Sequence, residues 1–244
     1  MNQRVLRVLR TVWMLGGLGF LLWLALGFQS TDVPTGTFQS SDTVRVEREG
    51  GGWNFTPVSA SGPKTLVFLP GGMVDPKAYG PLVRAVAEQG HRAILLPIPW
   101  RSAYTEAQRK SLFAEISTVS QHTPVVLAGH SRGAMLAATY VHTEPDGLAA
   151  LVLIASTHPR DFSLADLTIP VTKVYGTNDG VAGVADIKKN APLLPAHTEW
   201  IAVEGGNHVQ FAHYRHQLMA GTSTISREEQ QRQTVDALVR VLRR

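Results

Sequence analysis

The sequence predicts an α/β fold: a mostly parallel sheet with helices on both faces and an antiparallel N-terminal edge. Three observations carry that expectation. From residue 65 onward, apolar runs of strand length alternate with helical stretches. Those runs are continuously apolar, as strands covered on both faces are. Two shorter runs flank Gly50-Gly51-Gly52 just before them, which is a hairpin signal. The chain has 244 residues, 44% of them hydrophobic, enough for one full-sized domain and too few for two.

Taken in order, residues 44–47 and 53–58 read as the hairpin strands, and 65–69 (TLVFL) as a buried strand ending in Pro70-Gly71-Gly72. Residues 76–89 carry apolar side chains at Tyr79, Leu82, Val83 and Val86, and Gly90 stops that helix. A strand follows at 92–98, then a helix at 105–120 with Ala107, Leu112, Ile116 and Val119 on one face. The pattern continues with a strand at 124–128, a helix at 132–142, strands at 148–155 and 171–175, a helix at 184–190 and a strand at 198–203. Ser226 with Glu229 matches a capping box. Val235, Leu238, Val239 and Leu242 then form the apolar stripe of a closing helix.

The N-terminus is different in kind. Residues 11–28 carry no charge and, as a helix, just span a hydrocarbon core. Arg4, Arg7 and Arg10 place the N-terminal side in the cytoplasm and the rest of the chain outside. A single-pass anchor over 1–29 is the favoured reading. Its competitors are a signal peptide cleaved near Ala25-Leu26-Gly27, which would release a secreted protein, and a buried core helix, which Gly16, Gly17 and Gly19 disfavour. Residues 30–41, polar with Pro34 and Gly36, read as a tether, leaving 42–244 as the folded α/β domain. Net charge is +4, with arginines gathered at the two ends. No basic block with interleaved aromatics argues for nucleic acid. The absence of cysteine excludes disulfides, thiolate metal sites and a cysteine nucleophile.

Gly129-His130-Ser131-Arg132-Gly133 matches G-x-S-x-G with a strand before it and a helix after it. In that context the serine sits in a strained turn, and the glycines let strand and helix backbones approach. The competing reading is a structural turn with Ser131 as helix cap. A serine nucleophile needs a base, and the base needs an orienting acid. Asp179 follows the strand at 171–175 and His208 follows the strand at 198–203. In a parallel sheet these strand ends share one edge, so Ser131, Asp179 and His208 can converge.

Residues 65–243 resemble an α/β-hydrolase through LPGG, GHSRG, YGTNDG and GGNHVQF taken together. GHSRG is similar to the elbow of chlorophyllase-like and dienelactone-hydrolase-like branches, although dienelactone hydrolases use cysteine where this chain has Ser131. The resemblance implies an acyl-enzyme mechanism with no metal or organic cofactor. It implies an oxyanion hole made by the Arg132 amide and a second amide after residue 69, with Gly72 favoured over Met73. Gly71-Gly72 also reads as an ordinary tight turn. Only residues 156–170 separate two strands where larger relatives insert a cap, so the cap is small or absent.

Alternatives attach to several of these residues. Asp161 is a second candidate acid, and Asp186 a weaker one. His208, His213 and His216 admit a metal-cluster reading, but no H-E-x-x-H pattern accompanies them. His130 reads as a packing residue and His158 has no assigned role. The Arg132 side chain either pairs with a protein acid or meets a substrate carboxylate. Met73, Trp100, Tyr104 and Phe211 are candidate pocket walls. The expected activity is a membrane-anchored, extracytoplasmic serine hydrolase acting on small-molecule or lipid-like carboxylic esters. Thioester or amide cleavage, acyl transfer, haloperoxidation, or a non-catalytic binding role on the same fold are the rivals.

Overall fold

The structure, a computed structural model, describes residues 3–59, 62–144 and 146–244. Eight strands form one sheet in the order β1-β2-β4-β3-β5-β6-β7-β8. They are β1 (Val44–Glu49), β2 (Gly52–Pro57), β3 (Thr65–Leu69), β4 (Ala93–Leu95), β5 (Val125–His130), β6 (Leu148–Ile154), β7 (Val171–Gly176) and β8 (Glu199–Val203). The β1–β2 and β2–β4 pairs are antiparallel, and every other pair is parallel. The hairpin thus supplies the antiparallel edge. β3, β5 and β7 are buried along their whole length, as their largely apolar sequences suit, and β7 buries Lys173 as well. β1 lies at the sheet edge, where exposed Arg45 and Glu47 to Glu49 suit a strand with one unpaired side. β4 is shorter than the expected 92–98 strand because only Ala93–Leu95 find partners on both sides.

Helices cover both faces. α2 (Gly80–Glu88) and α6 (Arg227–Arg243) pack on one face, with Leu82, Val83, Val86, Leu238 and Leu242 in its core. α3 (Glu106–Ser120) and α4 (Arg132–Thr143) pack on the other through Leu112, Phe113, Ile116, Leu136 and Tyr140. α5 (Val184–Lys189) is a short helix beside β7. The helix expected from residue 76 is divided into a 3-10 turn over Pro76–Tyr79 and then α2. At α6, Ser226 caps the Glu229 amide at 3.1 Å, but the Glu229 carboxylate turns away to Arg232 and Gln233. The reciprocal capping box forms instead at Thr105 and Gln108, before α3.

α1 (Gln3–Gly27) stands exposed along nearly its whole length and is long and apolar enough to cross a membrane. Its last turn is clasped by the domain. The Arg215 and His216 amides donate to the Gly27 carbonyl at 3.1 and 3.3 Å, and the His216 ring stacks on Trp23 with centroids 4.0 Å apart. Residues 30–41, read from sequence as a tether, lie along the domain. Ser30 pairs with Tyr214 and donates to Asp75, and Thr31 donates to the His213 carbonyl. One guanidinium nitrogen of Arg84 collects the carbonyls of Gly36, Thr37 and Gln39 at 2.7–3.1 Å, and Phe38 packs against Gly80, Trp53 and Phe55. Phe38 and Arg84, far apart in sequence, supply the anchoring that local composition conceals.

Candidate active site

β5 runs directly into α4, and Ser131 occupies the turn between them at φ 51°, ψ −111°. That backbone is costly for a residue with a Cβ. It is held from both sides: the Ser131 amide donates to Ile154 of β6 at 2.9 Å, and its carbonyl accepts from Met135 at 3.1 Å. The flanking glycines are sterically required. A Cβ on Gly129 would collide with the backbone of Gly133 and Ala134, and one on Gly133 with the carbonyls of Leu69 and Pro70. The Ser131 side chain makes no capping bond, so the helix-cap reading of this serine does not hold.

Asp179 and His208 meet at the same sheet edge. Asp179 Oδ2 lies 2.8 Å from His208 Nδ1, and both side chains are buried. The other carboxylate oxygen accepts the Val181 and Ala182 amides at 2.8 Å each, which fixes the plane of the carboxylate. His208 Nε2 is buried and makes no hydrogen bond among the described residues. The ring of His130 packs against it with centroids 4.7 Å apart. Burial holds the His130 imidazolium pKa well below its ordinary value, so the ring stays neutral. His130 Nδ1 lies 2.7 Å from the Tyr79 hydroxyl, which accepts the Gly71 amide at 2.9 Å. Tyr79 therefore ties the loop after β3 to the elbow.

In that loop the Gly71 amide is engaged by Tyr79, and the Met73 amide donates to the Arg101 carbonyl at 2.7 Å. Met73 is thereby removed as a free amide donor, and Gly72 is the member of the loop that packs against the base of Arg132. Asp161 is exposed and Asp186 lies exposed on α5, so neither reaches His208 as Asp179 does. His216 serves the α1 clasp, and His213 is half-buried in the strand-like contact with residues 30–31.

The sequence profile of the alpha/beta hydrolase family matches residues 65–232. The chain belongs to the alpha/beta hydrolase family. Solved structures agree on the fold of this hydrolase. One described as a predicted CIB-like hydrolase from Thermoplasma acidophilum superposes with a TM-score of 0.60 at 17% identity, over 81% of this chain and 99% of that one. An alpha-beta serine hydrolase homologue from Coxiella burnetii gives 0.57 at 18% identity, over 82% and 97%. Est1E from Butyrivibrio proteoclasticus gives 0.60 at 10% identity, over 83% and 100%. No curated protein is detectably similar in sequence.

The hydrolase has a cleft of about 210 Å³ beside Ser131. Its walls are the first turn of α4, the β6–β7 connection around Thr157, His158 and Arg160, and Val181–Ala182. None of the four side chains expected as walls lines it. Trp100 and Tyr104 are 83% and 67% exposed, and Met73 is 48% exposed, so all three stand on the outer rim. Phe211 is buried beneath the site, with its ring 5.5 Å from that of His130. Motif spacing could not find the true walls, because the β6–β7 connection has no repeated signature. The Arg132 side chain does not pair with a protein acid among the described residues: Nε donates to the Ser102 carbonyl at 2.9 Å and the guanidinium lies over Tyr104 at 5.2 Å. Another group absent from the sequence reading is Gln230 of α6, which is fully buried and bonded to Asn207, the residue before His208.

Proposed function

We propose that this hydrolase is a serine esterase in which Ser131 is the nucleophile, His208 the general base and acid, and Asp179 the orienting acid. The observation that carries this reading is the buried 2.8 Å Asp179–His208 pair beside a strained strand-to-helix turn that carries Ser131. Asp179 fixes the tautomer in which His208 Nδ1 bears the proton, leaving Nε2 to accept one. Ser131 Oγ attacks the acyl carbonyl as its proton passes to Nε2. His208 Nε2 is free to accept, and its bond to Ser131 Oγ forms as substrate binds. The amides of Arg132 and Gly72 stabilise the charge that develops on the carbonyl oxygen. The leaving alcohol takes the proton from His208, and water, activated by the same ring, cleaves the acyl-enzyme. Each of these steps is carried by the chain's own groups.

α1 supports a single-pass anchor, and the arginines at 4, 7 and 10 support an outward-facing domain. Three measurements test the proposal. A fluorophosphonate probe labels the wild type and leaves Ser131→Ala unlabelled; equal labelling of both removes Ser131 as nucleophile. Asp179→Asn lowers kcat by about 10,000-fold, because the amide presents a donor to Nδ1 and reverses the tautomer. Protease added to intact cells cleaves the domain; complete protection overturns the outward orientation.

A further inference from the structure

Two arginines, Arg132 and Arg160, line the cleft beside Ser131, and a third basic side chain lies behind its wall. The partly buried guanidinium of Arg132 is held by a carbonyl and an aromatic face. Arg160 directs Nε and one terminal nitrogen to the Thr157 hydroxyl, with Nε at 2.6 Å. Behind the wall, Lys173 of β7 is 1% exposed, and its ammonium donates to the His158 carbonyl at 2.6 Å. None of the three forms an ion pair among the described residues. Their fields converge on His158. Burial first, then Arg160 and Lys173, with Arg132 contributing, lower its pKa to about 4, and exposed Asp161 is the one carboxylate opposing them. His158 is thus neutral at physiological pH, and the guanidinium groups of Arg132 and Arg160 line a cleft in which no carboxylate pairs with them among the described residues. Two like charges lining one cleft raise the local concentration of anions and favour a bound negative charge.

We propose that this cleft is an acyl subsite for a carboxylate: the ester cleaved carries a short acyl chain ending in a negative charge held by Arg132 and Arg160. Planar guanidinium forks suit a carboxylate. The cleft, about 210 Å³ and open to solvent, has room for a carboxylate on a short aliphatic stem. The proposal rests on Ser131 as nucleophile, and its test separates the two.

The full chain, in neutral detergent, is assayed on p-nitrophenyl pentanoate and on the p-nitrophenyl monoester of glutaric acid, which match in length and differ in the terminal carboxylate. The expected kcat/KM ratio favours the glutarate ester by at least about tenfold and shrinks as salt is raised. Arg160→Gln abolishes the preference and Arg160→Lys restores part of it. Equal rates, or a preference for pentanoate, overturn the subsite while fluorophosphonate labelling still upholds the nucleophile. A preference for 4-acetoxybenzoate over phenyl acetate, with none for the glutarate ester, overturns the acyl placement. If labelling fails, thermal melts decide the subsite alone: free glutarate stabilises the wild type and not Arg160→Gln, or the subsite falls too.

Discussion

Gln230 grips both backbone groups of the residue that precedes His208: its Oε1 accepts the Asn207 amide at 3.0 Å, and its Nε2 donates to the Asn207 carbonyl at 2.7 Å. A side chain from the last helix therefore sets where the histidine loop stands. The fit is close, since a Cβ on Gly206 would press against the Gln230 amide.

Gln230→Leu leaves two buried backbone groups without partners, at a cost on the order of 3 kcal/mol. The freed loop misplaces His208, and kcat is expected to fall about 10- to 100-fold. KM should change little, because Gln230 does not line the cleft. Steady-state kinetics beside a thermal melt check both halves; a stability loss with intact kcat would make Gln230 structural only.

Tyr79→Phe removes the hydroxyl shared by the Gly71 amide and His130 Nδ1. Burial keeps that hydroxyl protonated by raising its pKa, so it does not act as a base at any working pH. The variant is expected to lose about 1–3 kcal/mol in denaturant unfolding. It should also lose turnover, as the loop bearing Gly72 loosens from the elbow.

Gly133→Ala sets a methyl against the carbonyls of Leu69 and Pro70, which are backbone and cannot swing aside. The expected destabilisation is at least about 3 kcal/mol. Gly17→Ala is the control: nothing lies within 4 Å of its added methyl, and the melt should stay at the wild-type temperature.

Lys173 yields a pH-dependent prediction. Burial, with the Arg160 charge beside it, lowers its pKa from 10.5 to about 7. Between about pH 7 and 10.5 the unfolded chain binds more protons than the folded one, so this residue makes stability rise with pH across that window. Below pH 7 its burial cost is present in full. Lys173→Met removes that cost and also the bond to the His158 carbonyl, the latter at every pH. The melting temperature of the variant relative to wild type should therefore be higher at pH 6 than at pH 10; a pH-independent difference would contradict a charged, buried Lys173.

The parallel sheet was legible because β3, β5 and β6 are largely apolar runs set apart by helical stretches. The Asp179–His208 pair was legible because each residue follows a strand end on the same sheet edge. The cleft walls were not. Trp100 and Tyr104 are large and apolar and drew attention for that reason, yet the chain turns through positive φ at Trp100, Arg101 and Ala103 and carries both aromatics outward. Thr157, His158 and Arg160 line the cleft without any local pattern, since only the packing of the β6–β7 connection brings them there. Gln230 reads in sequence as one more polar helix residue; its burial depends on a loop more than twenty positions away.

The clasp at Gly27 bears on reach. As a free coil, residues 30–41 would let the domain wander about 20 Å from the end of α1. Bound along the domain through Arg84, Phe38 and Ser30, they contribute no slack. The distance between α1 and Ser131 is therefore a property of folded contacts, as in a blade fixed to its handle. Under the proposed anchoring, substrates come to a mouth held at one height, and inserting residues into 30–41 would not extend it while the Trp23–His216 stack holds.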